Sequence, residues 1–108
     1  QIALNPAYVV EVEHSETHQA GYEAMRTLLS LAQPPTAVFS HNDVLALGAM
    51  HAIQETGLRI PEDISIVGHD DISSAAYFSP PLTTVRLAKE ELGREAGRII
   101  FEHIQAKK

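Results

Sequence analysis

The sequence predicts an α/β fold, with a doubly wound, mostly parallel sheet that is flanked by helices. Short runs of β-branched and apolar residues alternate with longer segments in which apolar residues recur at helical spacing. This strand–helix–strand order requires parallel pairing of the strands through right-handed crossovers. The run Ala37-Val38-Phe39 is continuously apolar, as is typical of strands in a sheet that is covered on both faces.

The amino-terminal part predicts one strand and one helix. Residues 7–12 are rich in β-branched residues and predict a strand. A helix should follow, capped by Ser15 or Thr17, and its apolar residues continue to Leu31. The pair Pro34-Pro35 should end it, because proline disfavours helical geometry in the residue before it.

The central part predicts a second strand–helix unit. Residues 36–40 form a short apolar run that indicates a strand. Either Asn42 or Asp43 can cap the next helix, which runs through Ile53. Gly57 follows as the expected left-handed stop.

The carboxy-terminal part predicts two further strands and a long helix. Residues 64–68 form a third strand, and residues 70–78 form a loop with one helical turn. Residues 82–86 form a fourth extended stretch. The last helix spans about residues 88–105, and its acidic start and basic end suit the helix dipole.

Length and composition exclude several classes of protein. The 108 residues, 44% of them hydrophobic, suffice for one compact domain. A net charge of −6 makes direct contact with a phosphate backbone unfavourable. The absence of cysteine rules out disulfides and thiolate metal sites and is compatible with a cytoplasmic location. No apolar run approaches the roughly 20 residues that a membrane-spanning helix needs.

Polar residues follow three of the predicted strands. They are Glu13-His14-Ser15, His41-Asn42-Asp43 and His69-Asp70-Asp71. Because ligands bind outside the carboxyl ends of parallel strands, these sets should line one edge and suit a neutral, polyhydroxylated ligand. Two plainer interpretations stay open, since capping alone explains Asn42 or Asp43 and a solvated turn explains the pair Asp70-Asp71.

Catalysis and cofactor binding find less support in the sequence. The residues His14, His41 and His69, with Asp70, could bind a divalent metal if their side chains converged. No short-range histidine pair supports that alternative. Neither a nucleophile motif nor a dinucleotide fingerprint is present. We therefore expect no enzyme activity, no catalytic residues and no cofactor.

Two helices are apolar on more surface than one sheet can cover. Residues 44–50 have almost no polar face, so a second partner must cover them. That partner is either a second subunit or another part of the same chain. The last helix carries an apolar stripe at Leu92, Ala96, Ile99, Ile100, His103 and Ile104, which could dock on a different lobe.

Three segments carry a family resemblance. Residues 36–50, residues 57–72 and residues 80–86 with Glu91-Leu92-Gly93 resemble LacI/GalR-type bacterial transcriptional regulators, in the same order and spacing. The resemblance implies a type I periplasmic-binding-protein-like effector domain. Residues 1–87 would be its carboxy-terminal lobe, and residues 88–108 a helix that packs on the amino-terminal lobe.

The resemblance also implies a function. The chain would be the ligand-sensing and dimerisation part of a cytoplasmic repressor that responds to a sugar-like or nucleoside-like effector. DNA would be bound only through an amino-terminal helix-turn-helix that this sequence lacks. The alternative is a periplasmic-type sugar-binding protein of a transporter. The implied ligand-binding residues are His14, Asn42, His69 and Asp70, and the implied homodimer interface contains Leu47, Met50 and Phe78.

Overall fold

A computed structural model describes residues 1–14 and 16–108 and contains one parallel sheet with flanking helices. This confirms the predicted fold class. The elements, in chain order, are a 3₁₀ turn Pro6–Tyr8, α1 His18–Leu29, β1 Ala37–Phe39, α2 Asp43–Glu55, β2 Ser65–Asp70, a second 3₁₀ turn Ser73–Tyr77, β3 Thr83–Arg86 and α3 Lys89–Ala106. Within the described ranges, no helix is both long and apolar enough to cross a membrane.

The sheet has the strand order β1-β2-β3, and both pairs are parallel. Ile66 of β2 is buried and, like Gly68, belongs to the covered face, which lies against α2. On the opposite face Phe39 is 67% exposed and Val85 is 45% exposed. The prediction that both faces are covered is therefore wrong for the described part of the chain, whose helices cover only one.

The first predicted strand, residues 7–12, is also wrong. Pro6 begins a 3₁₀ turn, and the side chain of Asn5 caps it by accepting a hydrogen bond from the Ala7 amide at 3.0 Å. The Tyr8 hydroxyl then donates to the Gln33 carbonyl at 2.7 Å. The first bond is local and the second joins the segment to the loop before β1, so the segment lies beside β1 without being added to the sheet.

Helices α1 and α2 cross at two glycines. A Cβ on Gly21 would lie 2.1 Å from the Leu45 carbonyl oxygen, and one on Gly48 would lie 2.0 Å from the His18 carbonyl oxygen. The backbones are therefore in direct contact, and α1 covers much of the apolar surface of α2. Of the two partners considered from sequence, another part of the same chain accounts for most of this burial.

The helix caps agree with one of the two alternatives in each case. The Thr17 hydroxyl accepts a hydrogen bond from the Ala20 amide at 3.1 Å and caps α1, whereas the alternative cap, Ser15, lies outside the described residues. Asn42 caps α2 through its side-chain oxygen. Asp43, the other candidate, is the first residue of α2.

Helix α3 runs from Lys89 to Ala106 and has no buried residue. Its apolar stripe is open, with Leu92 60% exposed and Phe101 62% exposed. The described chain accordingly extends 63 Å along its longest axis against 31 and 29 Å along the others. That residues 88–108 pack on another lobe stays a prediction, and the free stripe is compatible with it.

Candidate effector site

Polar side chains meet at the carboxyl edge of the sheet. Asn42 follows β1, His69 and Asp70 end β2, and Arg86 ends β3. Because the strands are parallel, these ends lie on the same side of the sheet. Asp70 is paired in register with Arg86. The edge therefore carries acceptors and donors from three consecutive strands.

The corner after β2 has an unusual backbone. Asp70 has a φ of 118° and Asp71 a φ of 54°, in a region that non-glycine residues rarely occupy, although aspartate enters it more readily than most. Lys89 Nζ donates to the Asp70 carbonyl oxygen, and to that of Asp71 at 3.2 Å. The Asp71 carboxylate accepts from Arg86 Nε at 2.8 Å. The corner is thus held by two basic side chains that start and precede α3.

A buried carboxylate lies beneath this corner. Asp43 is fully buried, with Oδ2 accepting from the Ile72 amide at 2.9 Å and Oδ1 accepting from the Thr84 hydroxyl at 2.6 Å. Thr84 Oγ1 in turn accepts from the Asp71 amide at 3.3 Å. Sequence reasoning gave Asp43 no role beyond capping or the ligand rim, and missed Thr84.

The space for this carboxylate comes from a glycine. A Cβ on Gly68 would lie 2.2 Å from Asp43 Oδ1 and 2.9 Å from a methyl group of Leu82. Gly68 was visible in the sequence as the end of an apolar strand. An aspartate beginning an apolar helix and a glycine in the adjoining strand are the signal that could have indicated a buried carboxylate.

The predicted ligand-binding residues are only partly brought together. His69 Nδ1 lies 3.2 Å from Asp70 Oδ1, and both side chains are 34% exposed. Asn42 stands after the neighbouring strand, and its Oδ1 accepts from the Leu45 amide at 2.9 Å. His14 is exposed and follows no strand, since residues 7–12 do not form one. His69, Asp70 and Asn42 therefore remain candidates at the edge, while the reasoning that placed His14 on a strand end fails.

The three-histidine alternative gains nothing from the structure. Among residues 1–14 and 16–108, no group of three or more histidine, cysteine, aspartate or glutamate side chains could hold a metal ion. His69 is instead directed at Asp70.

A separate groove of about 860 Å³ opens beside β1. Its wall is mostly apolar and includes Val10, Val12, Met25, Leu28, Val38 and Phe39. The groove lies between α1, β1 and residues 8–12. Residues 7–12 are the segment for which the sequence predicted the first strand. It does not include Asp70, so it is distinct from the corner after β2.

The predicted dimer residues differ in their accessibility. Leu47 is 37% exposed, whereas Met50 is 2% exposed and belongs to the core. Phe78 is half-buried against that core, and its neighbour Tyr77 is 87% exposed. Leu47 and Tyr77 can therefore contact another molecule through their side chains, while Met50 can act only by supporting α2 from within.

Aromatic rings extend the exposed surface next to Leu47. The His51 ring packs between His18, at a centroid distance of 5.3 Å, and Tyr22, at 5.2 Å. The Tyr22 hydroxyl donates to the Glu55 carboxylate, and this hydrogen bond raises the pKa of Tyr22. The ring contacts of His51 and the bond between Tyr22 and Glu55 therefore join α1 and α2 on the surface beside Leu47.

Comparison with known proteins establishes the family. The model of the periplasmic binding protein-like domain matches residues 2–108. The chain belongs to this family. It is 46% identical over 107 residues to the HTH-type transcriptional repressor PurR of Haemophilus influenzae (strain PittEE), which covers 99% of this chain and 31% of that protein. The chain thus spans about a third of the length of such relatives.

Solved structures of the family agree. A structure from Sanguibacter keddieii DSM 10542 that is described as a LacI-family regulator has 36% identity and a TM-score of 0.91, with 97% of this chain and 39% of that chain covered. The lac repressor dimer bound to operator and the anti-inducer ONPF has 37% identity and a TM-score of 0.78, with 83% and 32% covered. The resemblance to LacI/GalR regulators and to their periplasmic-binding-protein-like domain is confirmed.

Proposed function

We propose that this chain is one lobe of the effector-sensing domain of a transcriptional repressor, and that the Asp70–Asp71 corner is its main effector contact. The observation that carries the proposal is the backbone at that corner. Two consecutive aspartates hold positive φ values, and such strain persists only where surrounding bonds enforce it, typically at binding sites. The similarity to repressors supports the regulatory role.

The chemistry of the edge favours a small, neutral ligand with several hydroxyl groups. Carboxylate oxygens of Asp70 accept hydrogen bonds, and the imidazole of His69 can donate or accept. Their side chains are about one-third exposed, which leaves them accessible while keeping them ordered. Sugars and the ribose of nucleosides present adjacent hydroxyls that match this set. No catalytic group is needed for such binding, so the proposed role is sensing and not catalysis.

One wall of a cleft is expected to bind weakly. Small-molecule sites usually enclose most of the ligand surface, whereas the Asp70 and His69 side chains at this edge are about one-third exposed. The exposed stripe of α3 indicates where a second lobe would attach. Ligand binding between two lobes would then shift their relative populations and so alter a DNA-binding head elsewhere in the protein.

A homodimer through this lobe is the second part of the proposal. Leu47 and His51 lie one turn apart on the exposed side of α2, and Tyr77, in the 3₁₀ turn after β2, is almost fully exposed. Aromatic residues are enriched at protein interfaces. The net charge of −6 makes direct contact between this part and a DNA backbone unfavourable. A separate part of the protein would contact DNA, and the proposed place of action is the cytoplasm.

Calorimetry on the full-length protein tests the effector site. D-ribose, adenosine and a panel of monosaccharides and disaccharides are titrated into the wild type, Asp70→Ala and Asn42→Ser, the last of which keeps an oxygen that can cap α2. Loss of a charged hydrogen-bond partner should weaken binding by about 10- to 100-fold in Asp70→Ala. Glu62→Ala, an exposed change before β2 at the other edge of the sheet, is the control.

Two results would contradict the proposal. The first is a compound that binds Asp70→Ala and Asn42→Ser as tightly as it binds the wild type. The second is a wild-type protein that binds no compound in the panel.

A further inference from the structure

We propose that Asp43 and Thr84 are positioning residues for effector binding, because together they hold the Asp70–Asp71 corner in its binding conformation. The inference rests on the proposed function, which makes Asp70 an effector contact. It assigns a role to two side chains that lie beneath the edge and do not themselves reach the ligand.

The corner after β2 is strained. Asp70 and Asp71 occupy positive φ values of 118° and 54°, a conformation that is unfavourable for non-glycine residues unless neighbouring bonds compensate. Two backbone amides at the corner donate hydrogen bonds to side chains. The Asp71 amide donates to Thr84 Oγ1 at 3.3 Å, and the Ile72 amide donates to Asp43 Oδ2 at 2.9 Å.

Asp43 anchors both of those amides, the Ile72 amide directly and the Asp71 amide through Thr84. Asp43 has no exposed surface, and each of its carboxylate oxygens accepts a hydrogen bond from a different element, β3 and the segment after β2. As the first residue of α2, it moves only with that helix. Helix α2 packs closely against α1 at Gly48 and against β2 at Gly68. The hydrogen bonds of Asp43 therefore fix the position of the corner relative to the core.

Position 84 requires a side chain that both donates and accepts a hydrogen bond. Thr84 Oγ1 donates to Asp43 Oδ1 at 2.6 Å and accepts from the Asp71 amide. A hydroxyl can do both at once, whereas a methyl group can do neither. Thr84→Ser should therefore keep both hydrogen bonds, whereas Thr84→Val, which has the same shape but no hydroxyl, should lose both.

The strand supplies a matched control. Neighbouring residues of a strand point to opposite faces of the sheet, so Thr83 lies on the exposed face while Thr84 faces Asp43. Thr83→Val and Thr84→Val make the same chemical change one residue apart. Only the second should disturb the corner.

The test compares the wild type, Thr84→Val, Thr84→Ser and Thr83→Val as full-length proteins. Hydrogen exchange of the Asp71 and Ile72 amides reports on the corner, with amides of α1 as the reference. Calorimetry with D-ribose and adenosine reports on binding. In Thr84→Val we expect exchange at the two amides to be about tenfold faster and any binding about tenfold weaker. Thr84→Ser should keep both the exchange rates and the affinity within about twofold of wild type, and Thr83→Val should change neither quantity.

The possible failures are distinguishable. If exchange at the two corner amides, taken relative to the α1 amides, is no faster in Thr84→Val than in the wild type, or if Thr84→Ser behaves like Thr84→Val, the positioning role is overturned. A uniform rise in exchange across the chain with unchanged corner-to-α1 ratio would mean a purely structural role and overturns it too. Unchanged affinity in Asp70→Ala instead overturns the effector assignment, whatever Thr84→Val shows.

Discussion

Replacing Gly48 by alanine should destabilise the fold, although alanine is the better helix former. The new Cβ would lie 2.0 Å from the His18 carbonyl oxygen and 2.7 Å from the Tyr22 amide nitrogen. To relax the shorter contact to an ordinary 3.4 Å, the two helices would have to separate by about 1.4 Å. Both obstacles are backbone atoms of α1, so no side chain can rotate away.

The magnitude follows from two opposing terms. Overpacking a well-filled contact costs about 1–3 kcal/mol, and the upper end applies because both obstacles are backbone atoms. Alanine recovers about 1 kcal/mol of helix propensity. We therefore expect Gly48→Ala to lower the free energy of unfolding by about 2 kcal/mol, a large share of the stability of a small domain.

Denaturant unfolding of the 108-residue chain, monitored by circular dichroism, measures this change, with Gly93→Ala as the matched control. A Cβ on Gly93 would meet nothing within 4 Å, and α3 is exposed throughout. That control should leave the free energy of unfolding unchanged or raise it by up to about 1 kcal/mol. If Gly48→Ala were as stable as Gly93→Ala, the helices could not be in backbone contact at this crossing, and the reasoning would be refuted.

Three further predictions concern pH, assembly and capping. Hydrogen bonds from Arg59 lower the pKa of Asp63 to about 2, against a usual 3.8. A lowered carboxylate pKa stabilises the fold at pH values above the usual pKa, and this stabilisation is lost as the pH falls from about 4 towards 2. Acid titration of Asp63→Asn should therefore show a shallower loss of stability in that window than the wild type, and parallel curves would contradict this. Leu47→Glu should shift the full-length protein from dimer to monomer in sedimentation velocity, and an unchanged dimer would rule out this face of α2. Thr17→Ala should lower the free energy of unfolding by about 1 kcal/mol, and Thr17→Ser should not; equal stability of both would deny Thr17 its capping role.

Local patterns predicted most of the fold correctly. The helices and the second, third and fourth strands follow from apolar periodicity and from capping residues such as Thr17, which act over one turn of chain. The predicted strand at residues 7–12 was wrong because a β-rich pattern does not show whether a neighbouring strand is within reach. Here the Asn5 cap favours a 3₁₀ turn. Met50 could be recognised as apolar, but residue type did not show that it belongs to the buried core and not to the exposed side of α2.

The candidate site was predicted less completely. The position of Asp70 at a strand end was visible in the sequence, and its positive φ was not. Asp43 and Asn42 are adjacent and both suit a helix cap, so residue type could not show that one caps α2 and the other is buried under Gly68. Thr84 contacts Asp43 from 41 residues away, a distance over which no local pattern acts.

Hydrogen exchange on the full-length protein, with and without the tightest-binding compound of the calorimetric panel, tests the central claim most directly. If the carboxyl edge of the sheet is the effector site, peptides covering residues 69–72 should become protected, and that protection should disappear in Asp70→Ala. Protection confined to residues 8–12 and 37–41 would place the compound in the apolar groove beside β1. That result would contradict the assignment of the Asp70–Asp71 corner.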